Sequence, residues 1–190
     1  MSDIGQRAAA SRRAKLVLFD LDGTLADTAA DLVAPVQSMR GERGLEPMPF
    51  EALRPYVQIA GEAHSFRNFL DKFNILRRFY PSPEIIQRLA YEAVEDAARD
   101  NVRYLELRFT PPALAKSRNF PLDEVTDWVI DAVQQACRAH PGLWVQLIIS
   151  LNRHEPLDLA EQVTQIAIDR QARGIVGLDL AGDEVNFPAE

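Results

Sequence analysis

The sequence predicts an α/β fold in which parallel βα units form a sheet resembling half of a (β/α)8 barrel. Stretches of strand length alternate with segments whose apolar residues recur at helical spacing, an order that implies parallel pairing through crossover helices. The strands share one wholly apolar face, made by Val17, Phe19 and Leu21, by Leu105, Leu107 and Phe109, by Val145, Leu147 and Ile149, and by Val176, Leu178 and Leu180. The alternate positions are different: they include Asp20, Glu106, Arg108, Gln146, Ser150 and Asp179. A doubly wound sheet buries both faces under helices and disfavours charge in mid-strand, whereas the second face of a barrel strand looks into a lumen. A count of about four strands is half of the usual eight, so the sheet is expected to stay open, to be covered, or to self-associate with a second copy that completes the barrel.

Each element has its own local signal. Residues 1–14 carry Arg7, Arg12 and Arg13 without an apolar segment, which reads as a flexible tail and not as a secretory signal. Lys15–Leu21 is a buried strand ended by the turn-forming Asp22-Gly23. Asp27 or Thr28 caps a helix running towards Arg40, interrupted at Pro35, and 41–55 is irregular. Phe66 to Phe79 reads as a helix that Pro81-Ser82-Pro83 stops before starting the next. In that next helix Ile86, Leu89, Ala90, Ala93, Val94 and Ala97 form one apolar face. Tyr104–Phe109 is a strand, Val125 to Ala136 a helix closed by Pro141-Gly142, and Leu143–Ser150 a strand. Leu159–Arg170 is a helix and Ile175–Ala181 a strand. The chain thus divides into a tail (1–14), an opening strand and helix (15–56) and a βα region (57–190), packed as one domain.

Composition narrows the function classes. The chain has 190 residues, 47% of them hydrophobic, as in an ordinary globular protein. The net charge of −7 argues against nucleic acid as a partner. No apolar run approaches the roughly 20 residues of a membrane span, so no membrane partner is expected. A single cysteine, Cys137, excludes an internal disulfide, and a cytoplasmic location is expected.

Asp20-Leu21-Asp22-Gly23-Thr24 places paired carboxylates directly after a hydrophobic strand, an arrangement suited to phosphoryl transfer. One carboxylate can attack phosphorus while the other delivers a proton. A solvated strand-to-loop turn gives the same pattern. Leu16 to Thr28 resembles the first motif of haloacid-dehalogenase-superfamily phosphatases, and the segment to Pro55 is similar to phosphoglycolate phosphatases. That resemblance implies Asp20 as nucleophile and Mg²⁺ ligand, Asp22 as acid/base and Thr24 as a substrate-binding residue. It also implies Ser150 beside the phosphate, with Asp179 and Asp183 completing a Mg²⁺ site. The family's phosphate-binding lysine has no counterpart, since no lysine follows Lys116.

From Val57 onward the sequence resembles metal-dependent adenosine deaminases. The segments are Ser65–Phe73, Ala93–Ala98, Asn101–Pro111, Leu151–His154 and Gly174–Glu184. The resemblance implies the second to fourth strands of a (β/α)8 barrel, with Gly182 contacting the purine ring and Arg153 and His154 on a loop at the catalytic end. It also implies zinc held by histidines and an aspartate. Leu18 and Asp20 stand where the family's first two histidines belong, and the chain's three histidines, His64, His140 and His154, lack metal-ligand spacing. Zinc is therefore not expected. Glu106 and Arg108, two residues apart on one strand, are placed to form a structural ion pair. The sequence reading is a chimeric scaffold of hydrolase ancestry without a complete active site. Its alternatives are a weak Mg²⁺-dependent phosphomonoester hydrolase using Asp20, and a purine-nucleoside-binding fragment.

Overall fold

The computed structural model describes residues 82–116 and 118–188, together with 40–41, 44–49, 51–52 and 65. The expected opening strand with Asp20, Asp22 and Thr24, the helix start at Asp27 or Thr28, and the helix over 66–79 lie outside the described residues. The chain divides into two units, Met1–Val57 and Gln58–Glu190. In the first, Gly44 adopts φ 66°. Its N–H donates to Gly41 O at 3.0 Å, and that of Leu45 to Arg40 O at 2.9 Å, the paired bonds of a Schellman turn.

The second unit runs α1 (Pro83–Arg99), β1 (Tyr104–Phe109), α2 (Pro111–Ala115), α3 (Leu122–Ala139), β2 (Trp144–Asn152), α4 (Leu157–Asp169) and β3 (Ile175–Ala181), with one turn of 3₁₀ helix at Gln171–Arg173 before β3. Pro83 starts α1 with its ring preset for a first turn, and Ile86, Ala90 and Val94 form its buried stripe. Asn101, at φ 62°, ends α1 in a second Schellman turn: its N–H donates to Ala98 O at 3.1 Å and that of Val102 to Ala97 O at 3.0 Å. In α3 the stripe residues Val125, Val129, Ala132, Val133 and Ala136 are buried, as is Ile130, while Trp128 is half-buried against the core. Buried Thr126 satisfies its hydroxyl on Leu122 O at 2.7 Å. The short α2 is absent from the sequence expectations, although Pro111-Pro112 is a helix-start signal.

The strands pair in the order β1-β2-β3, all parallel, as the alternation with helices requires. Register puts Leu105 beside Val145, Leu107 beside Leu147, and Phe109 beside Ile149, which is itself beside Leu178. The apolar face is therefore continuous across the sheet, and Leu147, Ile149 and Ile175 join residues of α1, α3 and α4 in one core. One position differs from expectation. A register shift between Leu147 and Ile148 pairs Leu147 with Ile175 and Ile148 with Gly177, leaving Val176 as the extra residue of a bulge. Ile175 takes the core position expected of Val176, which is 56% exposed. Leu178 and Leu180 keep the predicted parity but stand about half exposed, because β3 lies at an end of the described sheet order.

Helix α4 is held to α3 by charge as well as by packing. Arg170 donates Nε and Nη2 to the two carboxylate oxygens of Asp127 at 2.8 and 2.9 Å, and reaches Asp123 Oδ1 at 3.0 Å. Arg173 also pairs with Asp127, and with Asp131 at 2.6 Å. The fork geometry of arginine suits this bidentate clamp. The Arg170 guanidinium holds Asp127 below the ordinary carboxylate range, with Arg173 adding to it.

Candidate functional site

Polar side chains from the three strands occupy the face opposite the core. Arg108 of β1 reaches past β2 and donates Nη1 to Asp179 Oδ2 of β3 at 2.7 Å. Ser150 of β2, directly beside Asp179 in register, donates its hydroxyl to the same oxygen at 3.1 Å. The cross-sheet staple replaces the Glu106–Arg108 pair expected from sequence. Glu106 instead accepts from Tyr104 Oη at 2.6 Å, and that bond raises the Tyr104 pKa. Arginine is long enough to cross one intervening strand, so spacing along its own strand did not select the partner.

These bonds bear on the residues given phosphatase roles. Ser150 is buried and its hydroxyl is committed to Asp179. Asp179 Oδ2 accepts from Arg108 Nη1 as well as from the Ser150 hydroxyl. Asp183 accepts from the Asn186 N–H at 3.1 Å and from Asn186 Nδ2 at 2.6 Å, so both its oxygens close a local turn. The Asn186 side chain is the main cause of its lowered pKa, followed by the Asn186 backbone N–H, with the Val185 amide and the nearby His154 adding to it. Among the described residues no three His, Cys, Asp or Glu side chains are grouped to hold a metal. The described residues by themselves form no such group, and Asp20, Asp22 and Thr24 lie outside them.

At the C-terminal end of β2 and β3 two turns meet. The Arg153 N–H donates to Ala181 O at 2.9 Å, one step beyond the Asn152–Ala181 pair that ends the ladder. Gly182 then turns the chain at φ 108°. A Cβ there would lie 3.6 Å from Arg153 N and from His154 Nδ1, an ordinary contact distance, so backbone conformation and not space calls for glycine. Arg153 Nη2 donates to Glu184 Oε1 at 3.1 Å. The His154 ring packs at a tilt on Phe187 with centroids 6.2 Å apart, and its Nε2 lies 3.6 Å from Glu155 Oε1. Gly182, Arg153 and His154 thus share one corner of the sheet. The sequence singled out all three; the tie to Glu184 it did not.

A parallel βα sheet of this order, polar on one face and with turns gathered at its strand ends, matches part of a (β/α)8 barrel. An amidohydrolase from Burkholderia ambifaria with bound Zn superimposes with a TM-score of 0.61 at 20% identity, over 83% of this chain and 42% of that one. The Arabidopsis ADAL protein complexed with GMP gives 0.60 at 25% identity, over 80% and 45%. The chain belongs to the adenosine deaminase family, which matches it over residues 31–190.

The adenosine deaminase of Klebsiella pneumoniae is 39% identical over 138 residues, covering 73% of this chain and 41% of that protein. The adenosine deaminase of Mycobacterium ulcerans is 31% identical over 194 residues, covering 99% of this chain and 52% of that protein. The chain spans about half the length of these relatives or less. The family match takes in residues 31–56, which the sequence reading gave to a phosphatase-like opening, and the comparisons lend that opening and its Mg²⁺ no support. The expectation of no zinc, made because the family's ligands are absent from this chain, is weakly opposed by the Zn bound in the Burkholderia protein. Among the described residues no helix is long and apolar enough to cross a membrane.

Proposed function

We propose that this chain is the purine-nucleoside-binding part of an adenosine-deaminase-type hydrolase, with the nucleoside meeting the C-terminal end of β2 and β3 at the Gly182 turn. The observation that carries this reading is the geometry of that turn. A glycine at φ 108° stands at the end of a barrel-type strand, beside Arg153 and His154, within the segment matched to the deaminase family. Strand C-termini are where barrel enzymes gather their binding groups. A backbone amide carried without a side chain lets a flat ring approach closely.

The chain's own residues supply binding and orientation on this reading, and the described ones supply no metal cradle. Zinc, where a full donor set holds it, supplies an activated water for hydrolysis. Titration calorimetry of the full chain with adenosine, and separately with phosphoglycolate plus Mg²⁺, tests the proposal. Saturable heat with adenosine alone is expected. Heat with phosphoglycolate and none with adenosine would replace the reading by the phosphomonoester one.

A further inference from the structure

The side chain that joins the two turns at the end of β2 and β3 is one to which the purine reading assigns no task. The backbone bond from Arg153 to Ala181 ties the turn after β2 to the last residue before Gly182. Past Gly182 the link passes to a side chain, Arg153 Nη2 to Glu184 Oε1 at 3.1 Å. Gly182 therefore sits between two fastenings, both provided by Arg153.

The two partners of the outer fastening are unequal. The Arg153 side chain is 13% exposed and that of Glu184 is 70% exposed. Packing fixes the rotamer of the arginine, while the glutamate on its own would move freely in water. The arginine is thus a fixed post and the loop is what it holds. Arg153 Nε is buried with no acceptor among the described residues, so the guanidinium is oriented at the expense of an unmade bond. Glycine has the widest conformational range of any residue, so a Gly182 amide must be aimed by its neighbours.

We propose that Arg153 is a positioning residue: by holding Glu184 it fixes the Gly182 turn, and with it the direction of the Gly182 amide at the mouth of the sheet. The inference rests on the reading of Gly182 as the purine contact. It adds that this contact depends on an ion pair which does not itself touch the purine.

The experiment has two arms on the full chain. In hydrogen exchange, Glu184→Gln, a change at an exposed position, should speed exchange of the 182–187 amides about two- to fivefold while α3 is unchanged. Arg153→Gln should do at least as much, and the double variant no more than Arg153→Gln alone. Unchanged loop exchange in Glu184→Gln, or effects that simply add, would overturn the tether. In calorimetry with adenosine, Glu184→Gln should weaken affinity by a similar factor, and Arg153→Lys should retain more affinity than Arg153→Gln. Faster loop exchange with unaltered adenosine affinity would overturn the positioning role. A parent chain that shows no adenosine heat would defeat the purine reading, leaving the exchange arm to decide the tether by itself.

Discussion

Ile149 and Leu178 are register neighbours on the apolar face, so truncating each to alanine compares a core position with one at the end of the described sheet order. Ile149 is 0% exposed and Leu178 is 46% exposed. Both changes remove three carbons, worth about 0.8 kcal/mol each when wholly withdrawn from water. For Ile149→Ala that is roughly 2.4 kcal/mol, and the cavity left in a packed core brings the total to about 3–4 kcal/mol. Leu178 loses just over half of the transfer contribution and leaves no enclosed cavity, so Leu178→Ala should cost about 1 kcal/mol. Urea unfolding followed by tryptophan fluorescence is the assay, because both tryptophans, Trp128 and Trp144, lie in the Gln58–Glu190 unit and report on it alone. With a slope of about 1.5 kcal/mol/M, the midpoint should fall by roughly 2 M for Ile149→Ala and less than about 1 M for Leu178→Ala. Equal losses, or a larger one at Leu178, would refute the placement of these two side chains.

The remaining predictions concern the ion pairs, the turn and the sheet end. Asp127→Asn should cost about 1 kcal/mol at neutral pH, a modest figure because the carboxylate is part-exposed and Arg170 keeps Asp123. The Asp127 pKa is depressed below 3.8, chiefly by Arg170, so its contribution is complete above that pH and is lost as pH falls through the lower folded value. Acid unfolding of Asp127→Asn should therefore show a shallower loss of stability below 3.8 than the parent; parallel curves would contradict the clamp. Gly182→Ala should cost about 1–2 kcal/mol, seen as a lower thermal midpoint, and weaken adenosine binding, because φ 108° is closed to alanine although its methyl has room. Unchanged melting and affinity would remove glycine's role in the turn. We also propose that a second copy covers Leu178 and Leu180: light scattering should show concentration-dependent association that Leu178→Glu with Leu180→Glu abolishes, and a parent monomeric at all concentrations would exclude it.

Much of the described fold was legible because its signals are local. Of the apolar face expected in α1, Ile86, Ala90 and Val94 are buried and Ala97 is half-buried, while Leu89 and Ala93 stand exposed; the β1 and β3 bounds follow from their flanking polar and glycine residues. The bulge at Val176 was not legible, because a one-residue slip is decided by pairing with β2 and leaves no mark in a run where Ile175 and Val176 are both apolar. The same limit hid the staple. Arg108 and Asp179 are far apart in sequence, and only the parallel order of three strands brings them to one oxygen. Gly182, Arg153 and His154 were found through a family motif, whereas Glu184, the last residue of the same matching segment, was given no role of its own. Spacing left the opening Asp-Leu-Asp-Gly motif open between a phosphoryl-transfer site and a plain turn; its phosphatase reading came from the resemblance of Leu16 to Thr28, a segment that the family match, beginning at residue 31, does not reach.

The most direct measurement is a two-dimensional ¹⁵N–¹H spectrum of the full chain titrated with adenosine. The account predicts progressive shifts of the Gly182, Arg153 and His154 amides, with Trp144 and Gly174, at the opposite end of the strands, unmoved. Shifts confined to Trp144 and Gly174, or none at saturating adenosine, would contradict it.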